Sequence, residues 1–190
     1  KFGATVYAMN ETQRHLDLLP VFSDSVGLPA DITYENRWTN NTYIGGALYK
    51  KRGKHIHYGF DGNVCLIGYK LGEFQVNGHI DGGVKLGKDS LTMAAKVFFR
   101  NETPDYYLQR YCSNHYVWNN DFSKQYRLHV GGEIAYPTKW IKPRLKVSFE
   151  NITRPIYFDT IGTPQQMDGN IQVLAADLQL NITTPWVNLD

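Results

Sequence analysis

The sequence predicts an all-β protein: an antiparallel up-and-down meander of about eight long strands, forming part or all of a transmembrane β-barrel. Three observations carry that prediction. The dominant hydrophobic period is two, so apolar and polar residues separate onto opposite faces of extended chain. Several alternating segments exceed the usual strand of about 5–6 residues and reach the roughly 9–11 that a tilted membrane strand needs. The connections are short at one end of the predicted sheet and long at the other, as in transmembrane barrels.

The elements follow in order. Phe2 to Ala8 reads as a strand, and the stretch 11–41 as a long irregular loop. Tyr43 to Tyr49 is a second strand, followed by the short basic turn Lys51-Arg52-Gly53-Lys54. Between His55 and Lys70, Ile56, Tyr58, Phe60, Val64 and Leu66 share one parity, and His57, Asp61, Asn63, Cys65 and Tyr69 the other. Leu71-Gly72 is a tight turn, the one short connection expected at the long-loop end. From Phe74 to Leu86 alternation is strict: Phe74, Val76, Ile80, Val84 and Leu86 oppose Glu73, Gln75, Asn77, His79, Asp81 and Lys85. After Gly87-Lys88-Asp89, Leu91, Met93, Ala95, Val97 and Phe99 oppose Ser90, Thr92, Ala94, Lys96 and Arg100. A second long loop is expected at 101–123. Tyr126, Leu128, Val130, Ile134 and Tyr136 then oppose Gln125, Arg127, His129 and Glu133. Beyond the turn at 137–141, Leu145, Val147 and Phe149 oppose Arg144, Lys146, Ser148 and Glu150. A third long loop is expected at 154–168, and the last strand sets Leu174, Ala176, Leu178, Leu180 and Ile182 against Asp177, Gln179 and Asn181.

Composition removes other classes. Lys+Arg number 20 against Asp+Glu 18 in 190 residues, a net charge of +2, so no strongly basic surface is available for nucleic acid. Aromatics at 14% argue against disorder. No apolar run approaches the roughly 18–20 residues of a spanning helix. The mean hydropathy is negative, but it averages two faces of opposite character. The length fits a single domain over 1–190. Since the chain opens inside a strand, a mature form or a fragment of something longer is expected. Two cysteines, Cys65 and Cys112, make no disulfide framework.

Alternation admits two ways of covering the apolar face. One is the core of a soluble sandwich that binds carbohydrate or protein. The other is lipid around a barrel, with the polar parity facing water. Long strands favour lipid, as do Tyr58, Tyr69, Tyr126, Tyr136 and Trp140 near strand ends, where an aromatic girdle belongs.

Catalytic and metal signatures are not recognised. His55 and His57 share a strand face without an evident third ligand. Glu73 and Asp81 are about 26 Å apart at about 3.3 Å per residue, too far for paired-carboxylate chemistry. No nucleophile elbow, phosphate loop or CxxC site occurs, so no enzyme, cofactor or metal is expected. The functional candidates are the polar parity: Glu73, Gln75, Asn77, His79, Asp81, Arg127, His129, Glu133, Arg144, Lys146 and Glu150. If these line a lumen, they set the field that permeating solutes meet. Lys50, Lys51, Arg52, Lys54, Lys88, Lys139 and Lys142 crowd the short turns, where anionic headgroups are one partner and bulk water another.

Residues 111–122 read Tyr-Cys-Ser-Asn-His-Tyr-Val-Trp-Asn-Asn-Asp-Phe. This resembles a Ser-Asn-His-aromatic, Trp-x-Asn, Phe segment of the β-barrel porins of the Bacteroidota outer membrane. Gly68-Tyr69-Lys70-Leu71-Gly72-Glu73-Phe74 is similar to their short Gly-Tyr-x-x-Gly-acidic-aromatic turn. Ile156 to Asp159, Pro164-Gln165-Gln166 and Val173 to Leu178 are similar to their later strands. The resemblance covers residues 40–183 and implies passive diffusion of small hydrophilic solutes across an outer membrane, with lipid as the other partner. Such porins are much longer and usually end on an aromatic. An internal portion of a larger barrel is therefore expected, closed by further strands or partner subunits. Asp24-Ser25-Val26, Asp89-Ser90-Leu91 and Asp159-Thr160-Ile161 also resemble the O-glycosylation signal of exported proteins of that group.

Overall fold

The computed structural model describes residues 2–22, 29–53, 56–113, 115–183 and 188–189. The long elements are β1 (Gly3–Phe22), β2 (Pro29–Lys50), β3 (Ile56–Gly68), β4 (Phe74–Leu86) and β5 (Asp89–Glu102). A single helical turn, α1 (Tyr106–Gln109), and two short strands, β6 (Arg110–Cys112) and β7 (Val117–Asn119), follow. Then come β8 (Gln125–Ala135), β9 (Ile141–Thr153), the short β10 (Ile156–Phe158) and β11 (Pro164–Gln166), β12 (Asn170–Thr183) and β13 (Asn188–Leu189). One sheet takes nine of these in the order β1-β2-β3-β4-β5-β8-β9-β12-β13, with every neighbouring pair antiparallel. The predicted meander of eight long strands is what forms. The sheet is open: among the described residues no strand pairs with the outer edge of β1 or of β13.

The register carries the alternation across the whole sheet. Tyr58 faces Ile80, which faces Ala95, and Val97 faces Val130, which faces Phe149. Phe149, Val147 and Leu145 face Leu174, Ala176 and Leu178. One continuous face is therefore apolar, because each strand contributes its apolar parity to the same side.

Among the described residues that face has no second layer. Val97, Val130 and Val147 remain 41%, 47% and 44% exposed, and Leu178 66%. Among the described residues the buried apolar side chains are Tyr43, Cys65 and Tyr106, with Pro104, Pro155 and Pro164 in the loops and short strands. A sandwich core, the soluble alternative, would need facing apolar residues from another sheet, and the two other sheets have two short strands each.

The stretch 11–41, expected as a loop, is instead mostly strand: β1 and β2 continue as a paired hairpin from Glu11↔Asn41 to Val21↔Asp31. β3 ends at Gly68 opposite Asn41, so beyond that point β1 and β2 pair only with each other among the described strands. Period-two polarity is imposed where one face meets an apolar environment. Here cross-strand polar ladders serve instead. Asn10 Nδ2 donates to Asn40 Oδ1 (3.0 Å), Asn40 Nδ2 to Thr12 Oγ1 (2.8 Å) and Arg14 Nε to Asn36 Oδ1 (2.8 Å). Asp24-Ser25-Val26 lies outside the described residues.

The other two long connections are irregular but folded. In 103–124, Asp105 caps α1 by accepting the Tyr107 N–H (3.0 Å), and the Tyr111 and Trp118 rings stack across β6 and β7 at 4.8 Å. Tyr106 stacks on His15 of the hairpin at 3.8 Å. Gln166 joins this loop to the next, donating to the Ser123 carbonyl (2.8 Å) and accepting the Ser123 N–H (2.9 Å).

Asp159 organises the β10–β11 turn. Its carboxylate accepts the Thr163 hydroxyl (2.5 Å), the Thr163 and Ile161 N–H groups (2.9 and 3.0 Å) and the Gln165 amide (3.2 Å). The Thr163 hydroxyl and N–H, then the weaker bonds from Gln165 and Ile161, hold this carboxyl below the ordinary aspartate range. The contribution to the turn is therefore present above the unfolded carboxyl value and is lost as pH falls through the lowered folded one. Amide exchange at Thr163 should stay slow from neutral pH down to that window and speed up below it, after correction for intrinsic exchange. Asp159→Asn should speed it at neutral pH. Unchanged protection in the variant would remove the turn from this carboxylate's charge.

Candidate functional site

The polar parity forms the opposite face of the same sheet. Gln75, Asn77, His79 and Asp81 lie on β4, Arg127, His129 and Glu133 on β8, and Arg144, Lys146 and Glu150 on β9. The register sets them in rows. Asp81, Ala94, Glu133 and Lys146 are successive cross-strand neighbours, as are Asn77, Phe98, His129 and Glu150. Ten of the eleven predicted residues thus share one wall. Glu73 departs from it. It precedes β4 in the turn after β3, where its carboxylate accepts the Thr103 N–H at 3.1 Å and ties that turn to the next loop.

The wall's carboxylates are engaged. Asp81 Oδ2 lies 2.9 Å from His57 Nδ1, and Asp61 accepts the Asn77 amide at 2.7 Å. Glu133 takes Arg144 Nε at 3.2 Å. Glu150 Oε1 accepts both Nε (3.2 Å) and Nη2 (2.5 Å) of Arg127, and its Oε2 lies 3.7 Å from His129 Nδ1. These pairs are partly exposed, and each contributes about 0–1 kcal/mol. Their larger effect is geometric, since they hold charged side chains along the wall.

Rings lie flat on the wall for the same reason. Gly59 stands directly opposite His79, and the imidazole covers the space a Cβ would take. Tyr7 covers Gly45 likewise; a Cβ there would lie 2.5 Å from the ring. Glycine lets an aromatic pack across the neighbouring strand rather than project from it.

The alternation put Asp61, Lys96, Arg100 and Ser148 in the polar set without naming them as lining candidates, and it left Phe98 unassigned; all five share this face. Lys96 and Arg100 stand in the polar set of their strand, but Ala94 and Phe98 between them dilute its character. Phe98 is at home on the wall because its ring stacks on His129 (4.9 Å, 9°) and carries the Arg100 guanidinium at 4.5 Å. His55 and Lys54 lie outside the described residues, and His57 is committed to Asp81. The thiols of Cys65 and Cys112 are not joined.

Aromatics sit at both ends of the sheet. At the long-loop end Phe74 packs against Phe99 (5.5 Å) and Phe99 against Tyr126 (6.3 Å). At the short-turn end Lys139 lies over Trp140 (4.7 Å), and Lys51 lies over the Tyr49 ring (4.9 Å), which stands on the polar face in register with Gly59. No helix is long and apolar enough to cross a membrane among the described residues.

A protein family described as "Putative porin" matches the chain over residues 1–190. No curated protein and no solved structure matches it.

Proposed function

Because the chain belongs to this porin family, we propose that it forms wall of an outer-membrane β-barrel through which small hydrophilic solutes diffuse passively, without catalysis. The observation that carries the reading is the single-layered sheet, exposed and apolar on one face, polar and ion-paired on the other. Contiguous exposed apolar surface on this scale is rare on a soluble monomer. In a barrel it meets lipid while the polar face meets water.

Dimensions support this reading. Tyr126 and Tyr136 bracket the apolar run of β8, ten residues apart, or about 33 Å at about 3.3 Å per residue. Tilted by about 40°, that length spans about 25 Å, the height of the apolar band of outer-membrane barrels. The lysine over Trp140 suits an interface, where aromatic bodies and cationic heads both prefer to sit.

The open edges bear on partners. In hydrocarbon each unpaired N–H or C=O costs several kcal/mol. In this reading the outer edges of β1 and of β12 with β13 are closed by further strands, from the same protein or from partner subunits.

Purified protein inserted into planar lipid bilayers should give discrete conductance steps. A folded barrel without steps would keep the architecture and remove the pore. A folded monomer in detergent-free buffer would remove the membrane.

A further inference from the structure

We propose that the polar wall holds an oxyanion station, built by Lys96, Lys146, His129 and Ser148, which receives the carboxylate or phosphate group of a passing solute. The inference deepens the pore reading and rests on it for its role in transport. A recess of about 270 Å³ opens on this face between β5, β8 and β9, lined by these four residues together with Gly131 and Glu133. That volume suits a small organic anion; a water molecule's share of the liquid is about 30 Å³.

The recess exists because one row of the wall is nearly bare. Lys96 faces Gly131, Gly131 faces Ser148, and Ser148 faces Ala175. The floor therefore lacks bulk, and long side chains from neighbouring rows reach over it. His129 does so from one side: its Nε2 lies 3.1 Å from where a Cβ on Gly131 would stand. Lys146 reaches in from the other side, two residues before Ser148 on β9.

Charge partnering gives the recess its sign. The neighbouring carboxylates already have donors: Asp81 has His57, Glu133 has Arg144 and Glu150 has Arg127. Lys96 and Lys146 have no carboxylate within salt-bridge distance among the described residues, and the Ser148 hydroxyl has no hydrogen-bond partner there. Asp177 is the cross-strand neighbour of Lys146 on β12, on the side away from the recess, and does not line it. Two ammonium groups and a hydroxyl around a shallow, open floor match an oxyanion, which takes charge-assisted bonds from each. An open recess releases its ligand readily, and conduction requires that of a station inside a pore.

Inorganic phosphate is the probe. Titrated into the full chain folded in detergent and followed by phosphorus NMR line width, it should bind. Lys96→Gln or Lys146→Gln should weaken binding about tenfold, the loss of one hydrogen bond to a charged group. Lys96→Arg and Lys146→Arg should keep most of the affinity. In bilayers under a KCl gradient, the reversal potential should favour chloride in the wild type and move toward potassium in Lys96→Gln/Lys146→Gln. Phosphate affinity unchanged by both glutamine variants would overturn the station, even if the pore conducts. Lysine-dependent phosphate binding in a protein that never conducts would keep the station and remove the pore.

Discussion

Ile80→Arg will cost about 2–4 kcal/mol of folding free energy in a bilayer, the range for a cationic side chain at the midplane of a barrel's lipid face. Ile80 sits at the centre of β4, with Tyr58 and Ala95 as cross-strand neighbours on the apolar face, and it is 48% exposed there. The exposed fraction is what makes the test informative. In water, a half-exposed isoleucine replaced by arginine would change stability little, within about 0.5 kcal/mol. In lipid the guanidinium must snorkel or drag water into the hydrocarbon. His79→Lys, one residue away and on the opposite face, should cost less than about 1 kcal/mol. Reversible folding into vesicles, titrated with denaturant, measures both. Equal costs for the two variants would mean that both faces meet the same solvent, and the barrel wall would be lost.

Gly68→Ala should be the most damaging small substitution, at about 2–4 kcal/mol. Gly68 ends β3 with φ at +119°, a conformation that L residues rarely adopt. An added Cβ would also overlap the backbone carbonyl of Asn40, and a carbonyl in a paired strand cannot rotate away. The strain has a structural cause. The β2–β3 register shifts between Thr42 and Tyr43, leaving Leu66 as an extra residue, and the chain must then turn into β4. Asn41 is fully buried at this corner, and its Oδ1 accepts the Lys70 N–H at 2.9 Å. Thermal or denaturant unfolding of Gly68→Ala beside Gly72→Ala separates the two contributions. Gly72 also has a positive φ (+76°), but the nearest atom to an added Cβ is the flexible end of Lys124 at 3.2 Å. Gly68→Ala should therefore be the worse of the two. A smaller loss than Gly72→Ala would show that the corner relaxes freely.

Much of the fold was legible because period two leaves a direct trace in residue order. Phe74 to Leu86 occurs as a strand with the bounds its alternation suggests. The turn at Leu71-Gly72 is there, closed by Leu71 N–H to Gly68 O (3.1 Å) and Glu73 N–H to Lys70 O (2.9 Å). The hairpin extension through 11–41 left no such trace. Pairing there is held by backbone bonds and, at its start, by Asn, Thr and Arg ladders; the run Asn10 to Arg14 is polar in both parities and has no period to read. The wall was legible residue by residue only where its strand was uniformly polar. Phe98 hid β5's share because a ring stacked on His129 has the same letter as a ring facing lipid.

The sequence alone determined that the chain is extended, antiparallel and two-faced, and which side chains share a face. Those properties follow from local geometry: side chains alternate along any strand, and each turn reverses the chain. Only the tertiary structure decided that no second layer covers the apolar face among the described residues, that Glu73 belongs to a turn, and that Lys96 and Lys146 flank a bare floor. Each of these depends on which residues stand opposite one another across strands far apart in sequence. That information is carried by register rather than by period, because a cross-strand neighbour leaves no mark on the order of residues along either strand.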